Sequence, residues 1–286
     1  MKFAGIIAEY DPFHNGHAWQ LAQTKALGAE RVAVAMSCSL VQRGALPLLP
    51  EAVRTRSALT CGADLVFALP APCACAGAEA FARAGVALLA AAGCDGLVFG
   101  AETPDAALLM EAAELLDSDS YRAALKAQLA GGARSFAAAR QAAAAQLASD
   151  ERVAALLDKP NNNLAVEYCR AIRSLAPRME AYPLPRQGAN HGEALHSAHG
   201  QFASASALRK LWAEGGADAV APYVPEAVFP LYQEAYAAGQ YTDFSAAGRC
   251  ELALLRSACR GKAPFADIRG VSEGLEHRLE AAVRTS

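Results

Sequence analysis

The chain has 286 residues, 53% hydrophobic and 19% charged, enough to bury a sizeable core in one large domain or in one domain with an appendage. This composition excludes a disordered or fibrous protein, and a net charge of −3 excludes a global positive field for nucleic acid or anionic membrane, so any RNA contact must come from a local patch. Glu9 and Asp11 interrupt the apolar start too early for a signal peptide and no segment has the length to span a bilayer, so a cytoplasmic protein without membrane contact is expected.

In chain order, Phe3 to Ala8 reads as a first strand, and HNGH (His14, Asn15, Gly16, His17) follows it. Ala18 to Leu27 then carries apolar residues at helical spacing. Two imidazoles where a first strand turns into a first helix point to phosphate chemistry, because a helix start offers free N–H groups and a positive dipole end. At a spacing of three, His14 and His17 share one helix face, and Gly16 between them lets a nucleotide approach the backbone. The competing reading is a turn with two surface histidines.

Strand and helix then alternate: Arg31 to Met36, a helix near Glu51 to Cys61, Asp64 to Leu69, a helix from about Ala76 to Ala92, and the strand Asp95 to Gly100. Alternation of this kind implies right-handed crossovers and a parallel sheet, with ligands beyond the carboxyl ends of the strands. HNGH, the Ser37 to Gly44 loop, the Pro70 loop and Gly100-Ala101-Glu102 all follow strands and are expected to line one crevice. Residues 104–158 read as an alanine-rich helical insertion, to which no chemistry is attached. Lys159 to Asn163 (KPNNN) breaks it, Leu164 to Leu175 reads as a helix, Glu180 to Leu184 as a strand and Arg186 to Phe202 as a polar loop. Ser204 caps a further helix through Trp212, and the remainder is mostly helical. The expected organisation is a catalytic domain over 1–212 and a helical C-terminal region over 213–286.

The eight cysteines lack paired CxxC spacing, which fits reduced thiols. Cys73 and Cys75 have no second Cys or His pair at ligand spacing, so they read as small hydrophobes rather than a metal site.

Several segments in order carry a family resemblance: GIIAEYDPFHNGH (Gly5 to His17), MS..LVQRG (Met36 to Gly44), GADLVFALP (Gly62 to Pro70), CDGLVFGAE (Cys94 to Glu102), PNN (Pro160 to Asn162), Arg186 with Gly188, SASALR (Ser204 to Arg209) and DIRGVSEGLEHRL (Asp267 to Leu279). Together they resemble the tRNA(Met) cytidine acetate ligases, bacterial members of the HxGH nucleotidyltransferase superfamily, over nearly the whole chain. HxGH alone is weakly specific, whereas EYDPFHNGH with VQRG and VSEGLE is strong.

The resemblance implies an α/β, Rossmann-like parallel sheet and an enzyme that activates acetate with ATP, accompanied by Mg2+, to acetyladenylate. It further implies transfer of the acetyl group to the exocyclic amine of the wobble cytidine of elongator tRNA(Met). By the same resemblance His14 and His17 are catalytic, steadying the charge that moves onto the leaving β-phosphate. ATP is expected along Ile6, Ile7, Ala8, Glu9, Tyr10, Asp11, Pro12, Phe13, His14, Asn15, Gly16, His17, Ala18 and Trp19, with Gly100, Asn161, Asn162 and Arg186 on the nucleoside side. Each of the last four has a plainer reading: a turn glycine, a helix cap for the asparagines and a surface charge for the arginine. Ser204, Ser206 and Arg209 sit where related transferases place a second helix start against the phosphates.

This sequence also departs from the family pattern. Pro50, Glu51 and Ala52 replace the usual acidic residue, lysine and tryptophan before the retained Arg54, and Cys38-Ser39 replaces Gly-Asn. A glutamate in place of a cation weakens anion binding if that lysine touches substrate. The family's arginine-bearing tail beyond VSEGLE does not occur within these 286 residues, and on that ground weak tRNA binding with a shallow salt dependence is expected. The competing functions are a small-molecule adenylyl- or cytidylyltransferase and a nucleotide- or RNA-binding homologue without turnover.

Overall fold

A computed structural model describes the chain except residues 43, 133–134, 187–194, 198–199, 261–264, 266–267, 269–270, 272–273 and 286, and gives the backbone alone for 195–197 and 200. Arg43 of VQRG, Gly188, and Asp267, Arg269, Gly270, Ser272 and Glu273 of the last resemblance segment lie outside the described residues.

Five parallel strands form the central sheet: β1 (Phe3–Ala8), β2 (Arg31–Ser37), β3 (Leu65–Leu69), β4 (Gly96–Ala101) and β5 (Glu180–Pro185), in the order β3-β2-β1-β4-β5. The apolar runs of β1, β2 and β4 are continuous rather than alternating because both faces of the sheet are covered. Ile6, Val34, Met36 and Val98 pack on one face with residues of α1 (Asn15–Ala26), α2 (Glu51–Thr60), α10 (Ala205–Ala219) and α11 (Phe229–Ala237). Ala33, Ala35, Leu97 and Phe99 pack on the other with α4 (Ala78–Ala91), α5 (Ala106–Asp117) and α9 (Pro160–Leu175). The chain builds outward from β1 through β2 and β3, then returns to lay β4 on the opposite side of β1. The order therefore reverses between β1 and β4, which opens a crevice at their carboxyl ends.

The alanine-rich stretch forms α5 with α6 (Asp119–Ala130), α7 (Phe136–Leu147) and α8 (Glu151–Leu156). It is anchored to α9 by the buried Glu167 carboxylate, which accepts from Arg140 of α7 and from Arg170, the latter also bonding Asp117 of α5 at 2.8 Å. A short helix α3 (Ala71–Ala74) precedes α4, and among the described residues no helix is long and apolar enough to cross a membrane.

Three expectations need correction. The helix after the insertion starts at Pro160 rather than Leu164: the break lies between Leu156 and Lys159, and Pro160 opens α9, a position where the missing N–H costs nothing. The supposed loop from Arg186 to Phe202 contains the hairpin β6 (Leu195–Ser197) and β7 (Gly200–Phe202), whose strands are too short to show a period. The first helix starts at Asn15 rather than Ala18, because HNGH supplies its own cap.

Residues Met1–Tyr241 form one compact unit and Thr242–Ser286 another. Position 212/213, the expected boundary, falls within α10, where Trp212 packs edge-on against Tyr232, Tyr236 and Tyr241. The second unit pairs α12 (Phe244–Ala258), capped by Asp243, with α13 (Leu275–Thr285), and Arg256 Nε donates to the Val283 carbonyl at 3.4 Å.

Candidate nucleotide site

His14 stands at the N-cap of α1 in extended conformation, and its Nδ1 accepts the Gly16 N–H at 3.0 Å. His17, three positions on, returns the bond, its Nδ1 accepting the His14 N–H at 3.3 Å. The pair is a capping box built from two imidazoles instead of a hydroxyl and a carboxylate. The rings stack with centroids 3.8 Å apart, and Tyr10 stands edge-on to His17 at 4.8 Å. Tyr10 holds φ at 51°, a left-handed conformation rare for a bulky residue and costing about 1 kcal/mol or more.

These bonds fix the protonation state. A ring nitrogen that accepts from a backbone N–H carries no proton, so each neutral ring carries its proton on Nε2. Burial, reinforced by the Arg186 charge, pulls His14 down to about 3, and burial, His14 and Arg186 hold His17 well below its ordinary value. Near neutral pH both rings are therefore neutral Nε2–H donors.

The two rings line a cavity of about 180 Å3 at the β1/β4 crevice, together with Gly16, Trp19, Gly100, Asn161 and Arg186. Asn161 belongs to the first turn of α9, and its Oδ1 accepts from Arg186 Nη1 at 2.6 Å. The Arg186 stem lies over Gly100, where an added Cβ would sit 3.4 Å from its Cγ. Gly16 has a further use within the motif: a Cβ there would meet His14 Cε1 at 2.8 Å, so the glycine makes room for the imidazole.

The remaining sequence-selected positions turn elsewhere. Ile6, Ala8, Tyr10 and Phe13 are buried, while Ile7 and Ala18 pack against the core. The Glu9 carboxylate accepts from Gln42 N–H at 2.6 Å, and Pro12 follows a cis bond from Asp11. Asp11 accepts from Leu48 N–H at 2.6 Å and from Arg209 at 3.1 Å. Asn15 donates to the carbonyls of Gln201 at 3.0 Å and Pro222 at 3.2 Å, tying the helix start to β7 and the turn after α10. Asn162 is buried and bonds both the N–H and the hydroxyl of Thr103.

Sequence reasoning did not single out Gln20, Phe99, Leu164, Tyr168, Leu184 and Pro185, which also line the cavity. A usable signal existed for some of them: Leu164 and Tyr168 follow Asn161 by three and seven positions, one helix face, and Phe99 precedes Gly100 on β4. Glu102, expected in the crevice only as part of Gly100-Ala101-Glu102, has a role the sequence did not suggest. Its carboxylate accepts from Asn161 N–H at 3.2 Å, Asn161 Nδ2 at 2.6 Å and Asn162 N–H at 2.7 Å, capping α9 from the end of β4.

The departures at 50–52 sit beside Arg54, which is fully buried and spends its donors on the carbonyls of Glu9, Ser37, Cys38 and Leu49. Burial lowers its pKa, while Asp11 and then Glu51 favour its charge. Burial, followed by the neighbouring Glu51 carboxylate, pushes the Cys38 thiol up. Glu51 itself is exposed on the first turn of α2, three positions before Arg54. Cys73 and Cys75 are free thiols, and no group of three metal-ligating side chains occurs among the described residues.

The HIGH Nucleotidyl Transferase family matches residues 1–286. A tRNA(Met) cytidine acetate ligase of Syntrophotalea carbinolica is 37% identical over 289 residues, covering 100% of this chain and 67% of that protein. The chain belongs to the tRNA(Met) cytidine acetate ligase family. Another member of this ligase family, from Caldanaerobacter subterraneus subsp. tengcongensis, is 34% identical over 290 residues, covering 99% of this chain and 70% of that protein. A crystal structure of Thermotoga maritima TmcAL bound with alpha-thio ATP superposes with a TM-score of 0.87 at 30% identity, covering 100% of this chain and 68% of that one. The chain thus spans about two thirds of the length of these ligases.

Proposed function

We propose that this chain activates acetate with ATP and passes the acetyl group to the exocyclic amine of the wobble cytidine of elongator tRNA(Met), in the cytoplasm. The observation that carries the reading is the pair of backbone-locked, neutral imidazoles at the start of α1, set at the point where the strand order reverses. In the first step an acetate oxygen attacks the α-phosphorus, the bond to the β-phosphate oxygen breaks and pyrophosphate leaves. Negative charge grows on the leaving group, and the Nε2–H groups of His14 and His17, at the positive dipole end of α1, are donors to it. In the second step the cytidine amine attacks the acetyl carbonyl, AMP leaves and the amine loses a proton.

On the nucleoside side the reading places Gly100, Asn161 and Arg186. The start of α10, where Ser204 Oγ accepts from Ala207 N–H and Arg209 is braced by Asp11, is the second helix start toward the phosphates. Magnesium enters with the triphosphate as its counter-ion, and no side chain is assigned to it. The substrates rest on the names of the relatives, and the bound nucleotide on the alpha-thio ATP of the T. maritima protein.

The test is exchange of labelled pyrophosphate into ATP. A ligase exchanges only when acetate is present and then acetylates tRNA(Met). Exchange that needs a different acceptor would favour a small-molecule transferase, and nucleotide binding with no exchange would favour a homologue without turnover.

A further inference from the structure

Two helix starts meet at the crevice, and they are electrostatically unlike. That of α1 presents neutral imidazole donors to the cavity. That of α9 is already filled by an anion from its own chain. Glu102 spends both oxygens on the first turn of α9, Oε1 on Asn161 N–H and Nδ2, Oε2 on Asn162 N–H. An external phosphate at α9 would have to displace this carboxylate, which has paid its ordering cost in folding. The same contact removes the freedom of the Asn161 amide. With Nδ2 given to Glu102, Oδ1 is the atom left to face the cavity side, and there it accepts from Arg186 at 2.6 Å.

We propose that Glu102 is a positioning residue of the nucleotide site: through Asn161 it sets the Arg186 guanidinium over Gly100. This deepens the reading under Proposed function and rests on it for the identity of the nucleotide. Glu102 touches no substrate. It acts through Asn161, so its effect falls on nucleotide affinity while the donors on the leaving group stay in place.

The experiment uses the full chain, with ATP titrated by calorimetry and pyrophosphate exchange measured beside it. Glu102→Gln replaces one acceptor by a donor that faces N–H groups, and is expected to raise the ATP Kd and KM about tenfold with kcat within about threefold. Asn161→Ala keeps Glu102 on the backbone N–H groups and so preserves the helix cap while cutting the relay. It is expected to raise KM to a similar extent. Combined with Arg186→Ala, Glu102→Gln is expected to add nothing beyond the Arg186→Ala effect, since residues in one chain of bonds are non-additive. A merely structural role would lower the melting temperature and add to Arg186→Ala. An unchanged KM in either single variant, or additivity in the double, overturns the proposal. Glu102-dependent ATP affinity in a chain that exchanges no pyrophosphate with acetate would sink the ligase reading and leave this assignment standing.

Discussion

Gly16→Ala separates the stability of the first helix from its chemistry. The new Cβ would lie 2.8 Å from His14 Cε1 and 3.0 Å from Nδ1, and since unstrained carbon contacts start near 3.5 Å the ring must retreat by about 0.7 Å. Retreat breaks the 3.0 Å bond from Gly16 N–H and disturbs the 3.8 Å stack on His17. Displacing a catalytic donor by most of an ångström costs about a hundredfold, near 2.7 kcal/mol of barrier. For stability, replacing glycine inside a helix gains up to about 1 kcal/mol, while overpacking costs about 1–3 and the lost cap bond about 1, so the fold loses about 4 kcal/mol at most. The variant is therefore expected to stay folded at assay temperature yet to exchange pyrophosphate about a hundredfold more slowly. An exchange rate within about threefold of the parent would refute the claim that the glycine exists for the imidazole.

Four other perturbations test the remaining parts. His17→Ala is expected to lower adenylate formation roughly a hundredfold with a smaller effect on ATP affinity, because a donor to developing charge acts on the transition state; unchanged turnover in a folded variant excludes it. His14, held at about 3 against an ordinary 6.5, stays neutral in the folded chain while the unfolded chain takes up a proton as pH falls through 6.5, so stability is retained above 6.5 and lost progressively below it. Nitrogen NMR should accordingly show an Nε2–H tautomer that does not titrate above about pH 5, and a midpoint near 6.5 would contradict the burial argument. Arg54→Met strands four carbonyls, three of them in buried bonds, and should cost about 3 kcal/mol or more in urea denaturation, with a loss below about 1 kcal/mol counting against the guanidinium as the fastener of the β1 and β2 ends. Glu167→Ala leaves the partly buried Arg140 and Arg170 without their shared carboxylate and should cost about 3 kcal/mol, whereas a neutral result would show that the Arg170–Asp117 pair and apolar packing suffice to hold the insertion to α9.

What was legible in the sequence is what local pattern encodes. The strands β1 to β5 stand within a residue or two of expectation because their apolar runs are bounded by turns, and the HNGH position follows from the strand before it. What was not legible depends on partners far along the chain. Asp11 looks like a ligand to an incoming group, but its carboxylate is engaged by Arg209, 198 positions away. Asn15 is claimed by the Gln201 and Pro222 carbonyls, and KPNNN reads as a breaker because the carboxylate that caps it, Glu102, stands 59 positions earlier. In each case a polar residue chosen for its chemistry is used to join segments, and composition cannot distinguish the two uses.

The neutrality of the two histidines also bears on how such a site gains rate. An imidazolium pair would attract ATP and pyrophosphate before and after reaction about as well as during it, which tightens binding without lowering the barrier between bound states. A neutral Nε2–H fixed by a backbone bond on the opposite nitrogen is a weaker donor to the resting phosphate. Its interaction grows as charge accumulates on the breaking bond, and the stacked, buried rings need no reorientation when it does. Among the cavity-lining residues the full positive charge is instead carried by Arg186, bound to Asn161. After burial, its field helps keep both rings unprotonated, so a ground-state charge on one wall of the cavity and neutral donors on another are compatible in one site.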